Sequence, residues 1–86
     1  MPYIKPHFRE LLLKMTVQEL VDAAGRLDAG DLNFIISSIL WSKWRKSPSY
    51  STGNTLVGVL ECAKAEFVRR HLNFYEDLKI AESGDL

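Results

Sequence analysis

The sequence predicts an all-α fold: a small bundle of three to four helices with a long C-terminal helix, assembled into oligomers. Three observations carry this. Side chains that are apolar or partly so recur in alternating steps of three and four at Leu56, Leu60, Ala63, Phe67, His71, Phe74 and Leu78, which is the seam of a packed helix. Residues that cap helix starts precede the apolar runs, at Thr16, Asp31 and Asn54. Turn residues gather in two places, Asp28-Ala29-Gly30-Asp31 and Ser47 to Gly53, and so divide the helices.

Taken in order, two prolines in the first six residues keep the start extended, and His7 to Met15 then forms a short helix carrying Leu11, Leu12 and Leu13. Thr16-Val17-Gln18-Glu19 fits a capping box and opens a helix from about residue 16 to 27, which buries Val17, Leu20, Val21, Ala24 and Leu27. Gly25 near its end predicts fraying or close packing, because glycine costs about 1 kcal/mol relative to alanine in a helix. With Asp31 as N-cap, a helix over about 31–46 follows. It has Leu32, Ile35, Ile36, Ile39, Leu40 and Trp44 on one side and Phe34 and Trp41 opposite, a pattern expected to be buried all round. A loop over 47–53 leads to the last helix, about 54–80, and residues beyond it form a frayed tail.

Eighty-six residues, 47% hydrophobic and 26% charged, predict one domain spanning 1–86. Eleven Lys and Arg balance eleven Asp and Glu, so no global field draws in nucleic acid or an acidic membrane. The longest uncharged apolar run, Leu32 to Ser42, falls far short of the roughly 20 residues that span a bilayer. No secretion signal is visible, which places the protein in the cytoplasm of a bacterial host cell. Cys62, the lone cysteine, reads as a small buried or half-buried side chain within the last helix. With only His7, Cys62 and His71 besides the acids, no zinc-ligand spacing is present, and no cofactor or catalytic residue is expected.

The predicted last helix is about 40 Å long, whereas a globule of this length is roughly 30 Å across. Its overhang, its second apolar stripe of Val57, Val68 and Tyr75, and the outlying Phe34 and Trp41 predict an interface between copies. Glu66, Phe67, Arg70, His71 and Phe74 fall within that interface, with Glu66 and Arg70 spaced as an i, i+4 ion pair. Arg69 points away from the seam as the freer residue. Ser49, Tyr50, Ser51, Thr52 and Asn54 bring hydroxyls and a helix start that suit an anion, and Trp44, Arg45, Lys46 and Arg69 supply stacking and charge. Capping and core packing are the alternative use of the same loop and aromatics.

Several of these residues also carry a resemblance. Met1-Pro2-Tyr3-Ile4, Leu32-Asn33-Phe34, Gly58-Val59-Leu60-Glu61, Glu66-Phe67-Val68-Arg69-Arg70 and Tyr75-Glu76-Asp77-Leu78-Lys79 followed by Gly84-Asp85 resemble a family of small uncharacterised proteins of bacteriophages and prophages. The family often has Tyr where this chain has Phe34 and Phe67, and Asn where it has Ser83. The resemblance implies a phage accessory protein and no activity. Three readings follow. One is a non-enzymatic homo-oligomeric binding protein that counters host defence by sequestering a nucleotide-like messenger at a subunit interface. The second is an adaptor that binds a host protein through exposed aromatics. The third, nucleic-acid binding, has zero net charge against it.

Overall fold

In the computed structural model, which describes residues 5–84, those residues fold into helices with no strand among them. The all-α prediction holds, long C-terminal helix included. The chain divides into two compact units, Met1–Ser47 and Pro48–Leu86.

The first unit is built from three helices, each started by local chemistry. Helix α1 spans Pro6–Lys14. Pro6 stands at its first position, where a missing N–H costs nothing, and Lys5 before it is extended. Its extended start agrees with the sequence reading at Lys5; residues 1–4 lie outside the described part. Helix α2, Val17–Ala23, starts with the predicted capping box: the Glu19 amide donates to Thr16 Oγ1 at 3.1 Å, and the Thr16 amide to Glu19 Oε1 at 2.9 Å. The helix stops at Ala23 and tightens into a 3₁₀ turn, Ala24–Arg26, around Gly25. Nothing stands within 4 Å of where a Gly25 Cβ would be, so weak propensity and not close packing accounts for the change.

Helix α3, Ala29–Lys46, starts two residues before the predicted N-cap Asp31. Asp28 caps it, its Oδ1 accepting from the Asp31 amide at 2.9 Å while Asp31 Oδ2 accepts from the Asp28 amide at 3.0 Å. Asp31 is therefore the third-residue partner of a second capping box, where a carboxylate serves as well as it does at the cap itself. The unit's interior is small: Leu12, 2% exposed, with Ala23, Gly30 and Asp31. Leu20, Leu27, Phe34, Ile35 and Leu40 are half-buried.

Two burial expectations are corrected here. Val17 and Val21 are exposed, and so is Ala24, because the inward face of this segment runs through Leu20, Ala23 and Leu27 at steps of three and four. Helix α3 is not buried all round either: Leu32, Ile36, Ile39, Trp41 and Trp44 are exposed. Two helices of nine and seven residues cover only part of the circumference of one of eighteen.

The second unit is one long helix of 34 residues. Helix α4, Tyr50–Phe67, passes through a π-helical turn, Val68–Leu72, into helix α5, Asn73–Ser83. It starts earlier and ends later than 54–80. Ser49 is the N-cap, its Oγ accepting from the Thr52 amide at 3.1 Å, so Asn54 lies inside the helix. The end comes at Gly84, whose φ of 82° and ψ of 159° belong to glycine alone. Asp85 and Leu86 of the predicted tail lie outside the described residues. None of the unit's described residues is buried; the seam side chains Leu60, Phe67, Phe74 and Leu78 are exposed, and Cys62 with them, contrary to its expected burial. A single helix has no interior in which to hide a side chain.

Candidate functional site

The first unit carries an apolar groove of about 500 Å³. One wall comes from the end of α1 and the start of α2, with Leu13, Met15, Val17 and Leu20; Leu12 lies at the floor, and Phe34, Ile35, Ser38, Ile39 and Ser42 of α3 form the other wall. Lys43 and Lys46 close one end. The α3 residues recur at steps of three and four, so a single helical face supplies that whole wall.

A second hollow, about 540 Å³, lies along the adjoining face of α3. Phe34, Trp41 and Arg45, at steps of seven and four, line it with Arg9 of α1. Arg9 stands over the Phe34 ring at 5.8 Å, and Arg45 over Trp41 at 5.7 Å, so each aromatic face holds a guanidinium. Trp44 joins Trp41 and Arg45 around a further hollow. Electrostatically this end of α3 is one-signed: Lys43, Arg45 and Lys46 occupy its last turn, and no acid occurs between Asp31 and Glu61. These cations complement the helix dipole, and none takes part in an ion pair among the described residues.

In the second unit a cluster of charged side chains meets at the π turn. Glu66 accepts from Arg69 Nη2 at 2.8 Å and also pairs with Arg70 Nε. The expected Glu66–Arg70 pair is present, but Arg69 is not the free residue the sequence suggested. On a helix a glutamate has neighbours at both i+3 and i+4, and here it holds both. All three side chains are well exposed, so pairs of this kind contribute at most about 1 kcal/mol. The rings of Phe67 and His71 lie 5.3 Å apart and tilted by 46°. The π turn has a further effect. Each i→i+5 turn takes in one residue more than an α turn, which rotates α5 relative to α4 by up to about 100° from the register assumed for the seam. The apolar stripes of α4 and α5 therefore face different directions.

Of the residues assigned to an anion site, Ser49, Tyr50, Ser51, Thr52 and Asn54 lie together in and before the first turns of α4, and Arg69 does not join them. Thr52 and Arg69 are 17 residues apart on a continuous helix, about 25 Å. No small ligand touches both in one copy. The Ser49 hydroxyl is itself committed: it accepts from the Thr52 amide and donates to Thr52 Oγ1 at 3.2 Å. Tyr50, 94% exposed, stacks on nothing. Trp44, Arg45 and Lys46 belong to the basic end of α3 in the first unit. Among the proposed interface residues, Phe34 and Val68 are half-buried and Trp41, Val57, Glu66, Phe67, Arg70, His71, Phe74 and Tyr75 exposed. Arg9 had no signal in the sequence; only the packing of α1 on α3 brings it to Phe34.

Among the described residues no group of three or more His, Cys, Asp or Glu is placed to hold a metal ion, and no helix is long and apolar enough to cross a membrane. The fold and these surfaces thus define a small all-helical protein whose chemistry lies in exposed aromatics, cations and an apolar groove. The chain belongs to the family described as a domain of unknown function, DUF6899, which matches residues 1–86. No curated protein and no solved structure matches it.

Proposed function

We propose that this protein is a non-enzymatic, homo-oligomeric binding module whose copies associate through the long helix. The observation that carries the reading is that the helix exposes Leu60, Phe67, Phe74, Tyr75 and Leu78, and none of the described residues of its unit is buried. Apolar surface of that extent is stabilised by association, at about 25 cal/mol per Å² removed from water. The resemblance to phage and prophage proteins supports an accessory role in an infected bacterium, with counter-defence as its setting. Size-exclusion chromatography with light scattering tests the assembly. A mass of two or more chains at micromolar concentration is expected, and a monomer mass would overturn the reading in favour of an adaptor that docks on a host protein.

One observation favours a nucleotide-like ligand for the assembled protein: Trp41, Trp44 and Arg45 share a hollow in the last turns of α3. Planar bases stack on such rings and phosphates pair with such cations. A ligand at 100 times its dissociation constant raises stability by about 2.7 kcal/mol, enough to read in a thermal-shift screen of mono-, di- and cyclic nucleotides. Arg45→Ala is expected to abolish the shift. If no nucleotide moves the melting temperature of the wild type, sequestration of such a messenger is ruled out.

A further inference from the structure

The two units have opposite charge. Residues 1–47 hold seven Lys and Arg against five Asp and Glu, and residues 48–86 hold four against six. Within each unit the imbalance is local. Lys43 and Lys46 stand at the end of α3, on the rim of the apolar groove; α5 carries Glu76, Asp77 and Glu82 against Lys79 alone.

Helix α5 has the form of a groove-binding helix. Phe74, Leu78 and Ala81, at i, i+4 and i+7, lie on one stripe. Asp77 flanks that stripe on one side and Glu82 on the other. Asp77 makes no ion pair among the described residues, and Glu82 makes only a long one, 3.5 Å to Lys79. Lengths agree as well. The α3 wall of the groove runs from Phe34 to Lys46, about 18 Å, and the 11 residues of α5 are about 16 Å long. The π turn gives α5 a facing of its own, so its stripe is free to engage one surface while that of α4 engages another.

We propose that α5 of one copy docks in the groove on the first unit of a second copy, its apolar stripe against Leu13, Ile35 and Ile39, and its acids toward Lys43 and Lys46. This rests on the homo-oligomeric reading and assigns it a contact. Charge complementarity selects the occupant: a basic or neutral helix would leave the two lysines desolvated without partners. Each copy has one groove and one α5, so two copies that exchange the contact reciprocally form a symmetric dimer.

The test is a charge swap between two exposed surfaces. One variant carries Lys43→Glu with Lys46→Glu, the other Asp77→Lys with Glu82→Lys. Sedimentation equilibrium measures association of the wild type, of each variant, and of their equimolar mixture, with circular dichroism confirming helix content. Each variant alone is expected to associate about tenfold or more weakly than the wild type, because both of its contacts bring like charges together. The mixture is expected to recover wild-type affinity, since groove and helix are then complementary at both contacts. A wild type that associates while both variants associate equally well overturns the α5–groove contact and leaves the oligomer standing. Variants that weaken and do not recover on mixing also overturn it. A monomeric wild type overturns both.

Discussion

The two units of this chain reach helical structure by different routes. In the first, three helices are each opened by a defined N-terminal device: proline at the first position of α1, and capping boxes at α2 and α3. They then share a few buried groups around Leu12 and Ala23. In the second, one serine cap starts a helix that propagates for 34 residues, none of them fully buried. Helices under about 15 residues are marginal in isolation, so α1 and α2 depend on caps and on contact with α3. Cooperative propagation sustains the long helix once it is nucleated, and its apolar side chains remain for other surfaces. Substitutions among the buried groups of the first unit should therefore act on folding, and those on the apolar face of the second on association.

Leu12→Ala tests the contrast most severely. It removes the most buried large side chain of the first unit, and a loss of about 2–5 kcal/mol is expected in urea unfolding. Phe67→Ala, by contrast, changes a side chain that is 56% exposed. It should leave the helix content of dilute protein intact and weaken the assembly. If it unfolds the monomer as Leu12→Ala does, the two units are not distinct in the way described. Asp28→Ala removes the cap of α3 and should cost about 1 kcal/mol, read from the same urea midpoints. Gly58→Ala sharpens the comparison from the other side. Nothing lies within 4 Å of the added methyl in an α-helical position, so a gain of about 1 kcal/mol is expected by calorimetry.

The smallest effect concerns pH. The Thr16 amide, and then the Thr16 hydroxyl, hold the Glu19 carboxyl below its ordinary value. A carboxyl that is more acidic in the folded state stabilises that state above its unfolded pKa. The contribution is lost as pH falls from about 4.5 through the lowered folded value. Near pH 4, Glu19→Gln should accordingly differ less from the wild type in melting temperature than it does at pH 7.

Helix number, the capping box at Thr16, the start of α1 and the Glu66–Arg70 pair were all legible in the sequence, since each depends on residues at most four apart. What failed required neighbours. Asp28 and Asp31 are three residues apart and either one caps acceptably, so only the start of α3 shows which does. Burial was misassigned at Val17, Val21 and Cys62, because hydrophobicity indicates that a side chain gains by being covered and not whether a partner exists to cover it. The anion site was drawn from Arg69 and Ser49 as though a loop and a distant helical turn converged. A continuous helix keeps them apart. The second hollow depends on Arg9 reaching Phe34 across two elements, a relation with no periodic trace.

The π turn at Val68–Leu72 sets the valence of the molecule by its hydrogen-bond pattern. Deleting one residue there would close the α ladder and leave α5 facing as it does, because the turn already absorbs that residue. An α ladder closed with every residue kept would instead rotate the stripe of α5 into phase with that of α4. A rod with two facets would then become a rod with one, suited to a single lengthwise partner.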